Sequence, residues 1–394
     1  MTPALARAYL VALAYGTAAD FAALLPAAAS RPADEASLAP LAGWLNYQGV
    51  APLAYLRCQE VDDAAAAALA GQLQGAYYST SLHNGFQRET LVRILSALRS
   101  AQIPAVLLKG AALAEAAYGS FNARPMSDID FWLPDDAMAD VVAIMTGLGF
   151  RQGAEKADRP LALQRLARGE IQFSHPDWPK SLVELHWSGF PGWWLQRTAA
   201  VADAAIWQRT VPLTLAGFAA AENGTALVRR LAAEDMVIQL AVHQAINTSF
   251  GVRPLASLLD IALAANCWPV DWQLVADRAR AWRVGTVVWL VLHLAQQLIG
   301  LPGAETAVAR LRPSALRRLL LQRLVNPERM VTTEDPRYGR GRYLLLLLLV
   351  DRPRDRLRLV YRAVWPEPEW LAARYGGAAG RRHHLGQIFR FGRF

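Results

Sequence analysis

The sequence predicts an α+β protein that is predominantly helical, with a small mixed β-sheet flanked by helical N- and C-terminal regions. Hydrophobic residues make up 54% of the 394-residue chain, and many of them are alanine or leucine, which favour helix. Short apolar runs next to glycine or proline, typical of strands, occur in the middle of the chain. Helical periodicity marks both ends.

The chain divides into three predicted regions. Residues 1–100 carry Ala- and Leu-rich helical patterns, the last of which ends at FQRETLVRILSALRS. Residues 101–220 form an α/β core with the strand-like runs IPAVLL, DIDFWL, EIQFSH and SLVELHW. Helical periodicity returns at about residue 225, so residues 221–394 are predicted to be a helical C-terminal region.

Charge and cysteine content restrict the function only in part. Lys and Arg exceed Asp and Glu by 41 − 33 = 8, which favours polyanionic partners such as nucleotides, nucleic acids or acidic lipids. The two cysteines have no zinc-site or disulfide-framework spacing, so we expect a reducing cytoplasm. The run YLLLLLLV is far shorter than the ~20 residues of a membrane-spanning helix, so no transmembrane segment is predicted. Contact of the basic C-terminus with a membrane or partner stays open.

Paired carboxylates in the run SDIDFWLP are the main candidate site. Residues two apart in a strand point to the same face, so Asp128 and Asp130 would project side by side. Two such charges repel unless they share a proton or a cation lies between them, and carboxylates that hold Mg²⁺ beside a phosphate are a common solution. Glu184, in the strand-like run SLVELHW, offers a third carboxylate. The pattern predicts a two-metal site for phosphoryl transfer.

The turn that precedes these acids predicts an anion-binding site. Gly110 begins an Ala-rich helix directly after a strand, so unpaired backbone N–H groups would face an anion there. Lys109 and Arg124 could add positive charge for nucleotide phosphates. The strand-turn-helix unit therefore predicts nucleotide binding by Lys109, Gly110 and Arg124.

Other titratable residues have weaker assignments. His186 lies two residues beyond Glu184 and shares its strand face, so it either supports the metal ligands or is a hydrogen-bonded structural histidine. Glu170, on the preceding predicted strand, is the alternative third acid if the register turns Glu184 away. His243 and His293 lie in helical patterns and are interpreted as core histidines.

These motifs resemble a known family. LLKGAALAEAAYG…RPMSDIDFWLP followed by VELHW resembles the uncharacterised nucleotidyltransferase family of bacteria, within the DNA polymerase β-like nucleotidyltransferase superfamily. AEDMVIQLAVHQA resembles its helical part, and WPEPEWLAARYG resembles its C-terminal signature. The resemblance implies that the mixed sheet is a nucleotidyltransferase core, and that Asp128, Asp130 and Glu184 are catalytic metal ligands. Lys109-Gly110-Ala111 departs from the superfamily's Gly-Gly or Gly-Ser, and Glu184 replaces its Asp.

The resemblance implies transfer of a nucleoside monophosphate, namely AMP from MgATP or the corresponding group of another NTP, with Mg²⁺ or Mn²⁺. The group would pass to a hydroxyl or phosphate of an acceptor that the sequence does not identify. No basic patch with interleaved aromatic residues adjoins the paired aspartates, which favours a small-molecule, peptide or protein acceptor over nucleic acid. Two alternatives remain open: a catalytically inactive nucleotide-binding regulatory module, and an RNA-modifying or toxin-type nucleotidyltransferase.

Overall fold

The three-dimensional structure is a computed structural model. It describes residues 1–26, 35–153, 165, 169–178, 181–216, 218, 227–248, 250–251, 253–332, 341–375, 380 and 384–386.

The N-terminal region is helical, as predicted. Its helices are α1 (Pro3–Tyr15), α2 (Ala18–Ala22), α3 (Glu35–Tyr47), α4 (Ala51–Gln59) and α5 (Ala64–Ser100). Helix α5 has 37 residues. Asp63 is its N-cap, because its side chain accepts a hydrogen bond from the Ala66 amide, and a run of alanines follows. It packs against α3 and α4 and ends at the residue that the sequence predicts.

A mixed sheet follows α5. Within the described residues its strands are β1 (Ala105–Leu107), β2 (Ile129–Trp132), β3 (Arg151–Gln152), β4 (Glu170–Ser174), β5 (Val183–His186), β6 (Val211–Pro212) and β7 (Val228–Arg230). The strand order is β3-β4-β5-β2-β1-β7-β6. Strand β2 runs antiparallel to β1 and parallel to β5. The β2–β5 pair brings distant acidic residues onto adjacent strands.

Short helices connect the strands. They are α6 (Lys109–Leu113), α7 (Met138–Gly147), α8 (Trp193–Thr198) and α9 (Asp203–Gln208). Helix α6 starts directly after β1, as the strand-turn-helix prediction requires, but it ends at Leu113, early in the predicted Ala-rich helix.

Helices form the C-terminal region. They are α10 (Ala233–Val242), a π-helical segment (His243–Asn247), α11 (Pro254–Cys267), α12 (Trp272–Ala281), α13 (Gly285–Leu298), α14 (Glu305–Leu311), α15 (Ala315–Leu324), α16 (Pro327–Met330), α17 (Gly341–Leu349), α18 (Pro353–Val364) and α19 (Pro368–Tyr375). Strand β7 delays the predicted return to helix until Ala233, because it pairs in parallel with β1 and completes that side of the sheet.

One connected cluster of buried apolar side chains joins the sheet to helices on both sides of it in sequence. Every residue of β1, β2 and β5 is buried. The predicted fold class, α+β and predominantly helical, is confirmed. The predicted boundaries at residues 100 and 220 stay a prediction. Within the described residues, no helix combines the length and apolar character needed to cross a membrane.

Candidate active site

The register of β2 against β5 sets the geometry of the acidic site. Asp130 pairs directly with Glu184 in the parallel ladder, so their side chains lie on the same face of the sheet. His186, two residues further along β5, shares that face. Its Nε2 lies 2.8 Å from Asp130 Oδ1 and 3.6 Å from Glu184 Oε2. One potential ligand atom from each of these three residues lies within 4.8 Å of the others.

Neighbouring strands hold these side chains in place. Gln172, opposite Glu184 on β4, donates its Nε2 to Glu184 Oε1 at 2.5 Å. Glu170, also on β4, places Oε2 3.8 Å from His186 Nδ1. The carboxylates of Asp130 and Glu184 are thus positioned on rigid, buried strands.

Lys109 neutralises Asp130 in this structure. Its Nζ donates to Asp130 Oδ1 at 2.7 Å, and both side chains are largely buried. Because an ionised carboxylate only accepts hydrogen bonds, Nε2 of His186 carries the proton in its contact with the same oxygen. The sequence pattern predicts that Lys109 binds nucleotide phosphates, whereas here it contacts a carboxylate.

Asp128 stands at the entrance to β2, outside the cluster formed by Asp130, Glu184 and His186. Its Oδ1 accepts a hydrogen bond from Ser127 Oγ at 3.0 Å, and the residue is only partly buried. It also lines the adjacent cleft. Asp128 is therefore the acid of the pair that is directed toward open space.

The buried charges shift one another's pKa values. Burial, and then the charges of Asp130 and Glu170, raise the pKa of Glu184 to about 7. Burial, and then the charge of Asp130, raises the pKa of Asp128. Burial alone would raise the pKa of Asp130 too, but Lys109 and the hydrogen bond from His186 hold it well below its usual range. Asp130 is thus ionised at neutral pH, and Glu184 is close to half-protonated.

The turn between β1 and α6 is tightly packed. Lys109 has a left-handed backbone conformation with φ of 47°, which is unusual for a residue other than glycine. A Cβ at Gly110 would collide with Arg124 Nη1 and lie 2.9 Å from Met126 Cγ. A glycine is therefore required here by the close approach of the segment that precedes β2.

Arg124 is fixed by a carboxylate from the helical region. Its Nε and Nη2 donate to Asp260 Oδ1 and Oδ2, each at 2.7 Å, in a bidentate pair. Tyr118 also donates its hydroxyl to Asp260 Oδ1 at 2.7 Å. Asp260 was not among the residues predicted from sequence, although a lone acid in the apolar run LLDIALAA signals a buried partner.

A cleft of about 870 Å³ opens beside the acidic site. Helix α5, the β1–α6 turn, the segment before β2 and helix α11 all contribute to its wall. Its charged and imidazole-bearing lining residues are His83, Lys109, Arg124, Asp128, His243, Arg253, Asp260 and Arg342. The size is within the range of small-molecule sites.

His243 is partly buried and lies on the wall of this cleft, a location that the interpretation as a core histidine does not anticipate. It is the first residue of the π-helical segment that directly follows α10, and π-helical segments are often found at functional sites. Burial, and next the charge of Lys109, lowers its pKa to about 3, so the ring is neutral. Its helical periodicity alone gave no signal of this location.

Asp130, Glu184 and His186 form a group that is able to hold a divalent cation. Asp130 Oδ1 already contacts the Lys109 ammonium, which shows that positive charge is stabilised at this point. The two carboxylates suit Mg²⁺, and the imidazole of His186 additionally suits Mn²⁺ once Nε2 has released the proton that it donates to Asp130 here.

Comparison with known proteins identifies the family. The model of a family described as "Uncharacterised nucleotidyltransferase" matches residues 34–300, more than half of the 394-residue chain. The chain belongs to this family. Nucleotidyl transfer is the enzymatic activity of such a family, and the chain is accordingly a nucleotidyltransferase. The match ends before the C-terminal segment WPEPEWLAARYG, which lies outside it.

Other comparisons are less informative. No curated protein matches the chain. A solved structure of the antibiotic-resistance factor ANT(2'')-Ia is similar over 50% of this chain and 91% of that chain, with 18% identity and a TM-score of 0.31. A TM-score this low supports no inference about substrate. The family assignment therefore rests on the match over residues 34–300.

Proposed function

We propose that this nucleotidyltransferase transfers AMP from MgATP to a hydroxyl or phosphate of an acceptor molecule. The observation that carries the proposal is the convergence of Asp130, Glu184 and His186 beside a cleft that Asp128, Lys109 and Gly110 also line. The cleft has room for a nucleotide, and the acidic cluster lies where a cation could meet its phosphates.

Asp130, Glu184 and His186 would hold one divalent cation, with Asp128 directed toward the nucleotide. When bound, the cation neutralises phosphate charge and stabilises the leaving pyrophosphate. Lys109 and Arg124, together with the turn at Gly110, would orient the triphosphate. Both of these basic side chains contact carboxylates in this structure. When nucleotide binds, the Lys109 ammonium would leave Asp130 and contact a phosphate instead.

The transfer forms a bond between the acceptor oxygen and the α-phosphorus. It breaks the bond between that phosphorus and the oxygen that bridges it to the β-phosphorus, so pyrophosphate leaves. The proton of an acceptor hydroxyl would pass to solvent water, because Glu184 must be ionised to hold the cation. Gln172 would keep the Glu184 carboxylate oriented toward the cation.

The activity can be tested with labelled ATP. We expect the protein, Mg²⁺ and a cell extract to yield adenylylated products by mass spectrometry, and a chelator to abolish them. Asp130→Asn and Asp128→Asn should each lower the rate by more than about a hundredfold. Asp136→Asn is the matched control, because Asp136 is exposed in the turn after β2. Full activity in both site variants would refute the proposed roles.

A nucleotide-binding module without turnover remains the second candidate. It is favoured by the Lys109–Asp130 ion pair, which occupies an oxygen that a cation would need. Binding of a non-hydrolysable MgATP analogue without product formation under any extract condition would support it.

A further inference from the structure

A second cavity, which lies between α3, α4 and α5, adjoins the cleft. Its volume is about 520 Å³. It shares part of its lining with the cleft, namely Gly49, Ser79, Thr80, Pro125 and Arg253. The two cavities therefore meet at a common rim, and a ligand in this side pocket can extend into the cleft.

The left-handed backbone of Arg253 and the close packing of its side chain against Gly49 fix its position at this rim. Its φ is 43°, a left-handed conformation that is costly for arginine and disfavoured further by the following Pro254. Its side chain crosses Gly49, where a Cβ would lie 2.7 Å from Arg253 Cδ. Gly49 itself has φ of 75°. Strained backbone of this kind is characteristic of ligand clamps.

Arg253 differs from Lys109 and Arg124, the two basic residues of the cleft that ion pairs hold. Lys109 is paired with Asp130, and Arg124 is paired with Asp260. Within the part of the chain that the structure describes, the exposed Arg253 guanidinium has no ion-pair or hydrogen-bond partner. It is available to bind an oxyanion, for which its planar donor geometry is well suited.

A buried amide in the cleft also lacks a complete set of partners. Asn84 is fully buried and lines the cleft. Its Nδ2 donates to the carbonyl oxygens of Phe121 and Arg124, which fixes the orientation of the amide. Its Oδ1 accepts no hydrogen bond from the described residues. A hydroxyl donor from a ligand would satisfy this oxygen.

The residues that line the side pocket suit the polar, uncharged part of a ligand. Asn46, Gln72, Ser79 and Thr80 supply amides and hydroxyls, and Arg253 alone among its described lining residues is charged. None of these residues has an aromatic ring on which a nucleobase could stack. The acids lining the cleft do not suit a polycationic acceptor, because Asp260 is neutralised by Arg124 and Asp128 is directed toward the proposed nucleotide.

We propose that the acceptor is an anionic, hydroxyl-rich small molecule whose carboxylate or phosphate binds Arg253, with its polar body in the side pocket. This inference rests on the proposed AMP transfer. The acceptor hydroxyl then reaches the nucleotide from the shared rim, and the transfer proceeds with the bond changes given above.

The test compares pools of acceptors by charge. Small molecules from a bacterial extract are separated by ion exchange into anionic, neutral and cationic pools, and each is incubated with Mg²⁺ and isotope-labelled ATP. We expect labelled products from the anionic pool. Arg253→Gln should lower kcat/KM for the main product by ~10- to 100-fold, mainly through KM, and Arg253→Lys should recover part of the loss. Arg323→Gln, exposed on α15 and remote from both cavities, is the control.

Three results would overturn the inference. One is labelling only in the cationic pool, and another is unchanged KM in Arg253→Gln. The third is a calorimetric loss of affinity for a non-hydrolysable MgATP analogue in Arg253→Gln, since the oxyanion would then belong to the nucleotide.

Failure of the proposed function is distinguishable from failure of this inference. If no pool is labelled by the wild-type protein, AMP transfer is refuted, and acceptor binding is measured directly by ultrafiltration and mass spectrometry with the same pools. Retention of anionic compounds by wild type and not by Arg253→Gln supports the binding site. Equal retention by the two proteins overturns it.

Discussion

Single residues at the acidic site show how buried charges are balanced. Asp130 is kept ionised by contacts with Lys109 and His186, whereas Glu184 lies next to other acids and has a raised pKa. Like charges that share a buried site separate their pKa values in this way, and the group with the raised pKa can exchange protons near neutrality. Without a cation, the same strand face thus carries a permanent anion, Asp130, and a group that titrates near neutrality, Glu184.

The raised pKa of Glu184 predicts a pH-dependent stability. The unfolded chain releases this proton near the ordinary glutamate pKa of 4.5, and the folded protein releases it at about 7. The folded protein therefore binds more protons between these pH values, and its free energy of unfolding falls as the pH rises through this window. Glu184→Gln removes the effect. We expect the variant to be more stable than wild type by about 1 to 3 kcal/mol at about pH 8, with the difference vanishing near pH 4.5.

Thermal unfolding of both proteins across this pH range, with a chelator present, measures the effect. Gln172→Ala, which removes the hydrogen bond to Glu184 and keeps its charge, is the control and should retain the wild-type sign of the pH dependence. Parallel pH profiles for wild type and Glu184→Gln would show that Glu184 titrates normally.

At the level of elements, the β1–α6 turn and the segment before β2 form one packed unit. Gly110 contacts Arg124 and Met126 across this unit, and Asn84 on α5 binds two carbonyl oxygens of the same segment. The position of Asp128 at the end of that segment therefore depends on α5 and the turn together. This dependence explains how a long N-terminal helix contributes to a site built on strands.

Gly110→Ala should disrupt this unit. The added Cβ would meet Arg124 Nη1 and Met126, so we expect a loss of about 1 to 3 kcal/mol of stability and weaker nucleotide binding. Gly75→Ala on α5 is the matched control, because a Cβ there meets nothing within 4 Å. That change should stabilise the helix by about 0.5 to 1 kcal/mol. Urea denaturation distinguishes the two, and equal effects would contradict the close packing at Gly110.

Across the whole molecule, the Arg124–Asp260 pair connects the α/β core to the helical C-terminal region. Arg124 lies just before β2 and Asp260 lies within α11, and both line the cleft. The wall of the cleft is thus formed by two parts of the chain that a nearly buried, bidentate ion pair holds together. Nucleotide and acceptor would bind between them.

Asp260→Asn should destabilise the protein strongly. It leaves the Arg124 guanidinium buried without its countercharge, a change that typically costs about 3 to 5 kcal/mol. Asp277→Asn, which breaks the exposed Arg310 pair, should cost less than about 1 kcal/mol. Chemical denaturation measures both variants. A small effect of Asp260→Asn would mean that water can replace the lost charge at Arg124.

Local sequence patterns were enough to predict the helical flanks, most of the strands and the candidate acids. Apolar alternation in DIDFWL and SLVELHW fixes which side chains share a strand face, and this alternation is a property of each segment alone. The acidic pair and its distant partner Glu184 could therefore be predicted from the residues themselves. Strand β7 is not predictable in this way because Val228–Arg230 is short and mostly charged, without the apolar run that marks the equally short β1.

Tertiary contacts determine which groups meet. The parallel register places Glu184 and His186 beside Asp130, and a one-residue slip would turn both away. Packing also directs Lys109 to Asp130, pairs Arg124 with Asp260, and brings His243 and Arg253 to the cleft. Such contacts join residues far apart in sequence, so they depend on how elements pack and not on local propensity. For this reason the chemistry of the site could be predicted from sequence, whereas the charge balance and shape of its binding cleft could not.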